Sequence, residues 1–570
     1  MNFVLNFRSY ILIVALFLTY SCRQESDLPI KTGYGITAEN GMVVSAHPEA
    51  SIIGAEILKM GGNAIDAAAA TGFALAVCYP NAGNIGGGGL LVLRNADGSV
   101  NSLDYREKAP GQAGRDMYLN EEGDVVKGLS TSTHLASGVP GSVAGLCEAH
   151  AKYGLLDFSE VIQPAIDLAN NGFPITEKQA SGLNAMKKIF QKRNNSLTAF
   201  QKDTPWTLGD LLIQEELAAT LERIRDNGAD GFYKGETADY IVSEMNKAGG
   251  LITYEDLENY SAIWRDPVIT DYKNYKIISM PPPSSGGLAL KQLFGMIEDY
   301  PLSDWGFLSR EAVHLMTEAE RRVYADRAEY LGDPDFFDVP MEELSDNSYI
   351  KDRMQNFDLA SSSDSKDISA GKFVPYESEE TTHYSIADSF GNSVSVTTTL
   401  NGGYGNFVVV KGAGFLLNNE MDDFSVKPGY PNIYGLIGGE ANSIEPDKRM
   451  LSSMTPSIVE KDNELYMVVG SPGGSTIITS VFQVIVNVLE FDMDMQAAVD
   501  AGRFHHQWMP DYIDYEREKL DSGLVKSLED MGHTLKARSS IGRVDAIRIL
   551  EGRLFEAGAD KRGDDIAAAY

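Results

Sequence analysis

The chain has 570 residues, of which 43% are apolar and 23% charged, with a formal net charge of −33. That is enough apolar residue for a large core; the length alone suggests several domains, although layered α/β folds of this size also form single units. The acidity argues against nucleic acid as a partner, since phosphate binding needs a basic footprint.

In chain order, the first feature is an apolar run from Tyr10 to Tyr20 behind a single basic residue, Arg8. It is too short to span a membrane and ends at Ser21-Cys22 before polar residues, so residues 1–22 read as a targeting segment outside the fold. The ending Leu18-Thr19-Tyr20-Ser21-Cys22 resembles a bacterial lipoprotein box. That would make Cys22 a lipid-anchored N-terminus of an exported, periplasmic protein of the cell envelope. An ordinary cleaved signal peptide fits the same residues. Cys78 and Cys147 sit in apolar runs and read as small hydrophobes rather than a disulfide framework. The sequence has no CxxC pair and no His-Glu-x-x-His helix, so neither a metal site nor a cofactor is expected.

Gly41 to Ser45 reads as a strand, followed by a helix from Pro48 through Ile57 that stops at Gly61-Gly62. Asn63 caps a second helix, Ala64 to Val77, which Pro80 ends. Gly86-Gly87-Gly88-Gly89 runs into strand-like Leu90 to Leu93. A phosphate loop needs a helix start there, so close backbone packing is expected instead, with a place near the active centre left open. Val100 to Tyr105 is a strand that delivers Arg106 to a loop. Residues 140–330 look mainly helical, with charged amphipathic stretches at Gln214 to Asn227 and Arg310 to Tyr330. Met280-Pro281-Pro282-Pro283-Ser284-Ser285 is a rigid turn without an evident purpose.

Leu359 to Lys372 is Ser-rich, nearly free of apolar residues, and reads as an exposed linker. Beyond it, Tyr384, Ile386, Val394 and Val396 alternate with Ser385, Ser393, Ser395 and Thr397 about a Ser389-Phe390-Gly391-Asn392 turn, a hairpin with one buried face. Thr381 thus heads a core strand beside a segment open to cleavage. A threonine hydroxyl needs a base to act as a nucleophile. Breaking the Glu380-Thr381 bond would supply one, an α-amino group with a pKa of roughly 7.7 to 8.0. Threonine is also common at the start of strands, so the hexapeptide alone does not decide. Further on, strand Leu465 to Gly470, turn Ser471-Pro472-Gly473-Gly474-Ser475 and helix Thr476 to Leu489 aim backbone N–H groups at one spot; an oxyanion site and a plain tight turn fit equally. Val544 to Ala557 is a hairpin around Glu551-Gly552.

Five blocks in this order resemble the γ-glutamyltranspeptidase (glutathione hydrolase) family: Thr381-Thr382-His383-Tyr384-Ser385, Leu417 to Phe424, Leu451 to Pro456, Gly470 to Ser475 and Arg503 to Gln507. The resemblance runs from about Thr37 to Tyr570. It implies an α+β fold, the αββα four-layer sandwich of N-terminal nucleophile hydrolases, matching a helix-heavy first half and a strand-heavy second half. It further implies a zymogen that cuts itself at Glu380-Thr381 into a large subunit, 23–380 with its linker at about 359–380, and a small one, 381–570.

The resemblance also assigns roles. Thr381 is the nucleophile, Thr399 its hydrogen-bonding partner, and Gly473 and Gly474 the oxyanion donors. Arg106, Ser452 and Ser453 would bind the α-carboxylate of a γ-glutamyl group, and Asn401, Glu420 and Asp423 its α-ammonium. Tyr434, within Pro431 to Glu440, matches a lid. The implied partners are small γ-glutamyl compounds such as glutathione and amino-acid or peptide acceptors. Two alternatives stand beside this: an acylase of the same fold acting on glutaryl-type amides, which would have no use for Asp423, and a binding homologue without turnover.

Overall fold

The hairpin that follows Thr381 lies at the centre of an eight-stranded sheet in the computed structural model, which describes residues 28–369, 381–433 and 435–570. Its strands, Thr382–Asp388 and Ser393–Thr399, pair antiparallel with Ala387 opposite Ser393. Asp388 closes the turn by accepting hydrogen bonds from the N–H groups of Phe390, Gly391 and Asn392, each 2.9 Å long. Both faces of the hairpin are buried, where the alternation suggested one. Tyr384, Ile386, Val394 and Val396 pack with the Ala64–Cys78 helix. The hydroxyl face meets a second sheet: Ser385 donates to the carbonyl of Asp545 and Ser395 to that of Val469, both at 3.0 Å. The polar residues mark a sheet-to-sheet boundary, where the buried hydroxyls of Ser385 and Ser395 find backbone acceptors.

Across the first sheet the order is Lys31–Gly33, Ile566–Ala569, Gly41–Ser45, Thr382–Asp388, Ser393–Thr399, Gly88–Arg94, Val100–Tyr105 and Ile263–Arg265. The second runs Thr37–Ala38, Phe555–Gly558, Asp545–Ile549, Glu464–Gly470, Ser457–Lys461, Tyr275–Ser279 and Val268–Tyr272. Both sheets combine strands from before and after position 380, so the first half of the chain is not merely the helical half. A cut at that position would leave antiparallel ladders joining the two pieces.

Helices cover both outer faces. On one side is Ala64–Cys78, where Asn63 and Asp66 form a capping box and every residue is buried, as befits a helix that is apolar all round. It is joined there by Pro48–Lys59, Ser142–Tyr153, Phe158–Asn171 and Glu215–Asn227. On the other side Gly286–Ile297, Arg310–Tyr330 and Ile477–Leu489 pack on the second sheet. Gly86 and Gly87 allow the chain to pass close to its neighbours. A Cβ on Gly86 would lie 2.1 Å from the Leu416 carbonyl oxygen, and one on Gly87 2.0 Å from that of Thr399.

Arg310–Tyr330 departs from the amphipathic reading, since it is buried without interruption from Ala312 to Arg327. Its charges face protein. Glu318 bonds Arg322 at 2.6 Å and the N–H of Ser363 at 3.0 Å, and Arg321 is held by Asp511 and Ser365. The segment laid over it is the one expected to be a free linker. Residues 359–369 are largely exposed, yet Ser365 and Ile368 are buried and their carbonyls accept from the Trp508 indole N–H at 2.9 and 3.2 Å. Composition concealed this because the anchoring partners lie elsewhere in the chain. Cys78 is buried and Cys147 half-buried. Cys22, Glu380 and Tyr434 lie outside the described residues.

Candidate active site

Thr381 is 5% exposed and leads directly into the central strand. Thr382 pairs with Thr398, so one step further the antiparallel register sets Thr381 opposite Thr399. The Thr399 hydroxyl accepts the N–H of Asn401 at 2.7 Å, holding Asn401 in a left-handed conformation with φ of 69°. The Asn401 amide then donates to the Asn419 carbonyl at 3.0 Å, tying the end of this strand to the turn Glu420–Asp423.

A small cavity of about 20 Å³ gathers Arg106, Thr381, Thr399, Asn401, Glu420, Asp423, Ser452, Ser453 and Gly474. Arg106 leaves the Val100–Tyr105 strand fully buried, and its guanidinium contacts Glu420 and, at 2.5 Å, Asp423. It also donates to the carbonyls of Met450 at 3.3 Å and Leu451 at 3.4 Å, which places it beside Ser452 and Ser453. The proline turn has its purpose here: the Pro283 carbonyl accepts from the N–H of Ser452, and the Ser285 N–H donates to the Ser452 carbonyl, both at 2.8 Å.

The two residue sets assigned to the α-carboxylate and the α-ammonium of a γ-glutamyl group are thus in direct contact with each other. Three carboxyls share one guanidinium, because Glu107 also lies 3.5 Å from Arg106. Burial pushes Glu420, Asp423 and Glu107 above the usual carboxylate range against the pull of Arg106, and neighbouring acids push Glu420 and Glu107 further. Burial opposes the charge on Arg106 too, but the acids outweigh it and raise its pKa. Glu420 Oε2 and both oxygens of Glu107 have no hydrogen-bond partner among the described residues. These buried oxygens are left without a donor.

Gly473 and Gly474 have φ of 136° and 52°, in the turn after strand Glu464–Gly470 and before helix Ile477–Leu489. The Gly473 carbonyl is held by the hydroxyl of Thr476 at 2.8 Å, and Tyr324 donates to the carbonyl of Ser475. Gly474 borders the small cavity, while Gly473 borders a second one that also reaches Thr381. Asn432 and Ile433, within the expected lid, are fixed to the same acidic turn: the Asn432 amide donates to Asp423 and the N–H of Ile433 to Asp422, both at 2.9 Å.

Arg327 also lines the cavity and was missed in the sequence. It donates to the hydroxyls of Ser453 and Ser285, each at 3.0 Å. The available signal was the density of charge in Arg321-Arg322-Val323-Tyr324-Ala325-Asp326-Arg327, which covers more than one helix face. His383, inside the key hexapeptide, is a core residue: its ring bonds Thr397 and Ser385 at 2.9 and 3.0 Å, and burial lowers its pKa to about 3. Among the described residues His314, Glu318 and His533 cluster closely enough to hold a metal. Glu318 is committed to arginines and Ser363, and the two imidazoles bond each other at 2.7 Å, so the donors are already used.

The chain matches the Gamma-glutamyltranspeptidase family model over residues 50–570. It is 45% identical over 538 residues to a glutathione hydrolase proenzyme of Escherichia coli K12, covering 94% of this chain and 93% of that protein. In structure it is similar to a cephalosporin acylase from Bacillus halodurans, with a TM-score of 0.81, 26% identity and coverage of 96% and 98%. It is also similar to a Helicobacter pylori γ-glutamyltranspeptidase chain, with a TM-score of 0.57, 45% identity and coverage of 60% of this chain and 96% of that one.

Proposed function

Because the chain belongs to the γ-glutamyltranspeptidase family, we propose that it is a γ-glutamyltransferase and glutathione hydrolase that works through an acyl-enzyme on Thr381. It is an N-terminal nucleophile hydrolase in fold and type of enzyme, made as a precursor. The observation that carries the reading is the small cavity in which Thr381 shares walls with two arginines, two serines and two acids. A γ-glutamyl head group, with one carboxylate and one ammonium, complements that set.

The precursor cuts itself when the Thr381 hydroxyl attacks the carbonyl of Glu380, giving an ester that water opens into subunits 23–380 and 381–570. The new α-amino group then takes the hydroxyl proton. On binding, the α-carboxylate takes over Arg106 together with Ser452 and Ser453. The α-ammonium replaces the guanidinium against Asn401, Glu420 and Asp423. This exchange gives each charge of the head group an opposite partner, so neither is buried alone. Thr399 orients the nucleophile, and the N–H groups of Gly473 and Gly474 stabilise the oxyanion, a donor of this kind contributing roughly 100- to 1000-fold in rate. Water or an amino acid or peptide then takes the acyl group.

A glutaryl-type acylase is the weaker reading, since a glutaryl group would leave these acids without a cation. The test is N-terminal sequencing of the purified protein alongside its turnover of γ-glutamyl 4-nitroanilide. A second chain beginning at Thr381 and release of nitroaniline are expected; turnover by an uncut chain rejects the mechanism.

For export, the reading is a lipid anchor at Cys22 in the bacterial envelope, facing the periplasm. Its support is the box-like sequence ending at Cys22 and the fact that no helix among the described residues is long and apolar enough to cross a membrane. Cys22→Ser should move the protein from the membrane to the soluble fraction; unchanged membrane retention removes the anchor.

A further inference from the structure

Gly474 and Ser453 both line the cavity at Thr381 but come from different segments, one the turn before helix Ile477–Leu489 and the other the loop Leu451 to Pro456. A single element holds the two segments. Helix Arg310–Tyr330 reaches them with side chains three residues apart, hence on one face. Tyr324 donates its hydroxyl to the carbonyl of Ser475, and Arg327 donates to the hydroxyl of Ser453 at 3.0 Å. One residue further on, the Ala328 carbonyl accepts the N–H of Gly439 at 3.0 Å, within the expected lid.

The helix is fixed firmly enough to act as a frame. Glu320 accepts the N–H of His506 at 2.8 Å and the amide of Gln483, on helix Ile477–Leu489, at 3.2 Å. Asp326 accepts from the Tyr349 hydroxyl at 2.9 Å and the Gln292 amide at 3.2 Å, and pairs with Arg353 at 3.0 Å. The Tyr324 side chain is buried and stands edge-on to the His505 ring, 5.5 Å away, which in turn bonds the Thr479 hydroxyl at 2.9 Å. Glycine moves readily between backbone conformations, so the direction of the Gly474 N–H depends on what holds the peptide units around it. Two hydroxyls do this: that of Thr476 on the Gly473 carbonyl and that of Tyr324 on the Ser475 carbonyl.

We propose that Tyr324 is a positioning residue for the oxyanion donors and Arg327 its counterpart for the carboxylate-binding serines, so that one helix face sets the spacing between the two ends of the bound acyl group. The assignment rests on the γ-glutamyl reading above and adds to it two residues that act through others. Oxyanion donors work only as the carbonyl carbon becomes tetrahedral, whereas the serines hold the head group before and during the reaction. The two positions therefore control different kinetic constants.

The test measures kcat and KM for γ-glutamyl 4-nitroanilide on self-cut protein, with active sites counted by covalent labelling with a γ-glutamyl phosphonate ester. Tyr324→Phe keeps the ring and its packing and should lower kcat per active site roughly tenfold with KM nearly unchanged. Arg327→Met should do the opposite, raising KM roughly tenfold with kcat nearly constant, and Arg327→Lys should raise it by less. A Tyr324→Phe protein with unchanged kcat per site, or with its loss confined to KM or to the number of active sites, overturns the assignment. So does a fall in kcat alone from Arg327→Met. Wild-type protein that does not turn over the anilide removes the γ-glutamyl reading itself, and this assignment with it.

Discussion

The two cavities that meet at Thr381 are built on opposite principles. The one around Arg106 is small, about 20 Å³, and its charged side chains are largely buried and hydrogen-bonded within it. The groove beside Arg543 is about ten times larger, about 200 Å³, and Gly473 and Gly542 form part of its wall. A site whose polar groups are already desolvated discriminates strongly, since a ligand lacking the right partner leaves them unpaired. A roomier groove tolerates variety. The difference fits a reaction with an invariant acyl half and a variable amine half.

Mutations can separate the two. Thr381→Ala should abolish both functions of the shared residue: the chain stays a single band on a gel, and turnover of γ-glutamyl 4-nitroanilide falls by roughly 10⁴-fold or more, the loss expected when a nucleophile is removed. Two bands from that variant would move the cleavage elsewhere. Asp423→Ala should lower kcat/KM by about 3 kcal/mol, roughly 100-fold, because the substrate ammonium loses a buried charge partner, while self-cleavage continues. It should lower γ-glutamyl 3-carboxy-4-nitroanilide, which differs only in its amine half, equally. A change in the ratio of the two anilides would blur the division between the cavities. Arg327→Met leaves Ser453 without its guanidinium donor and should raise the KM for both anilides by roughly tenfold, with kcat nearly constant. An unchanged KM would make Arg327 a packing residue only.

Much of the architecture was legible in the chain. Arg310–Tyr330 has the bounds read from the sequence, because Ser309 caps its start through the N–H of Ala312 and the chain turns extended at Leu331. Val100–Tyr105 and Gly41–Ser45 likewise match end to end. The resemblance supplied nine residues that the fold brings into one cavity. Arg327 and Glu107 were not legible, because charged residues at helical or loop positions look alike whether they face water or a buried partner. The same limit hid the anchoring of Ser365 and Ile368, whose partner Trp508 is more than a hundred residues away.

Local chemistry by itself determined where strands and helices begin and end, where the chain turns, and that a hydroxyl residue stands at the head of a central strand. Those are short-range consequences of capping, alternation and glycine, which act between neighbours. Only the folded chain decided which charges lose their water, that Arg106 and its acids compensate one another, and that Thr381 opens onto a tight cavity on one side and a roomy groove on the other. Desolvation and charge pairing depend on distances between segments hundreds of residues apart, and no short stretch of sequence contains them.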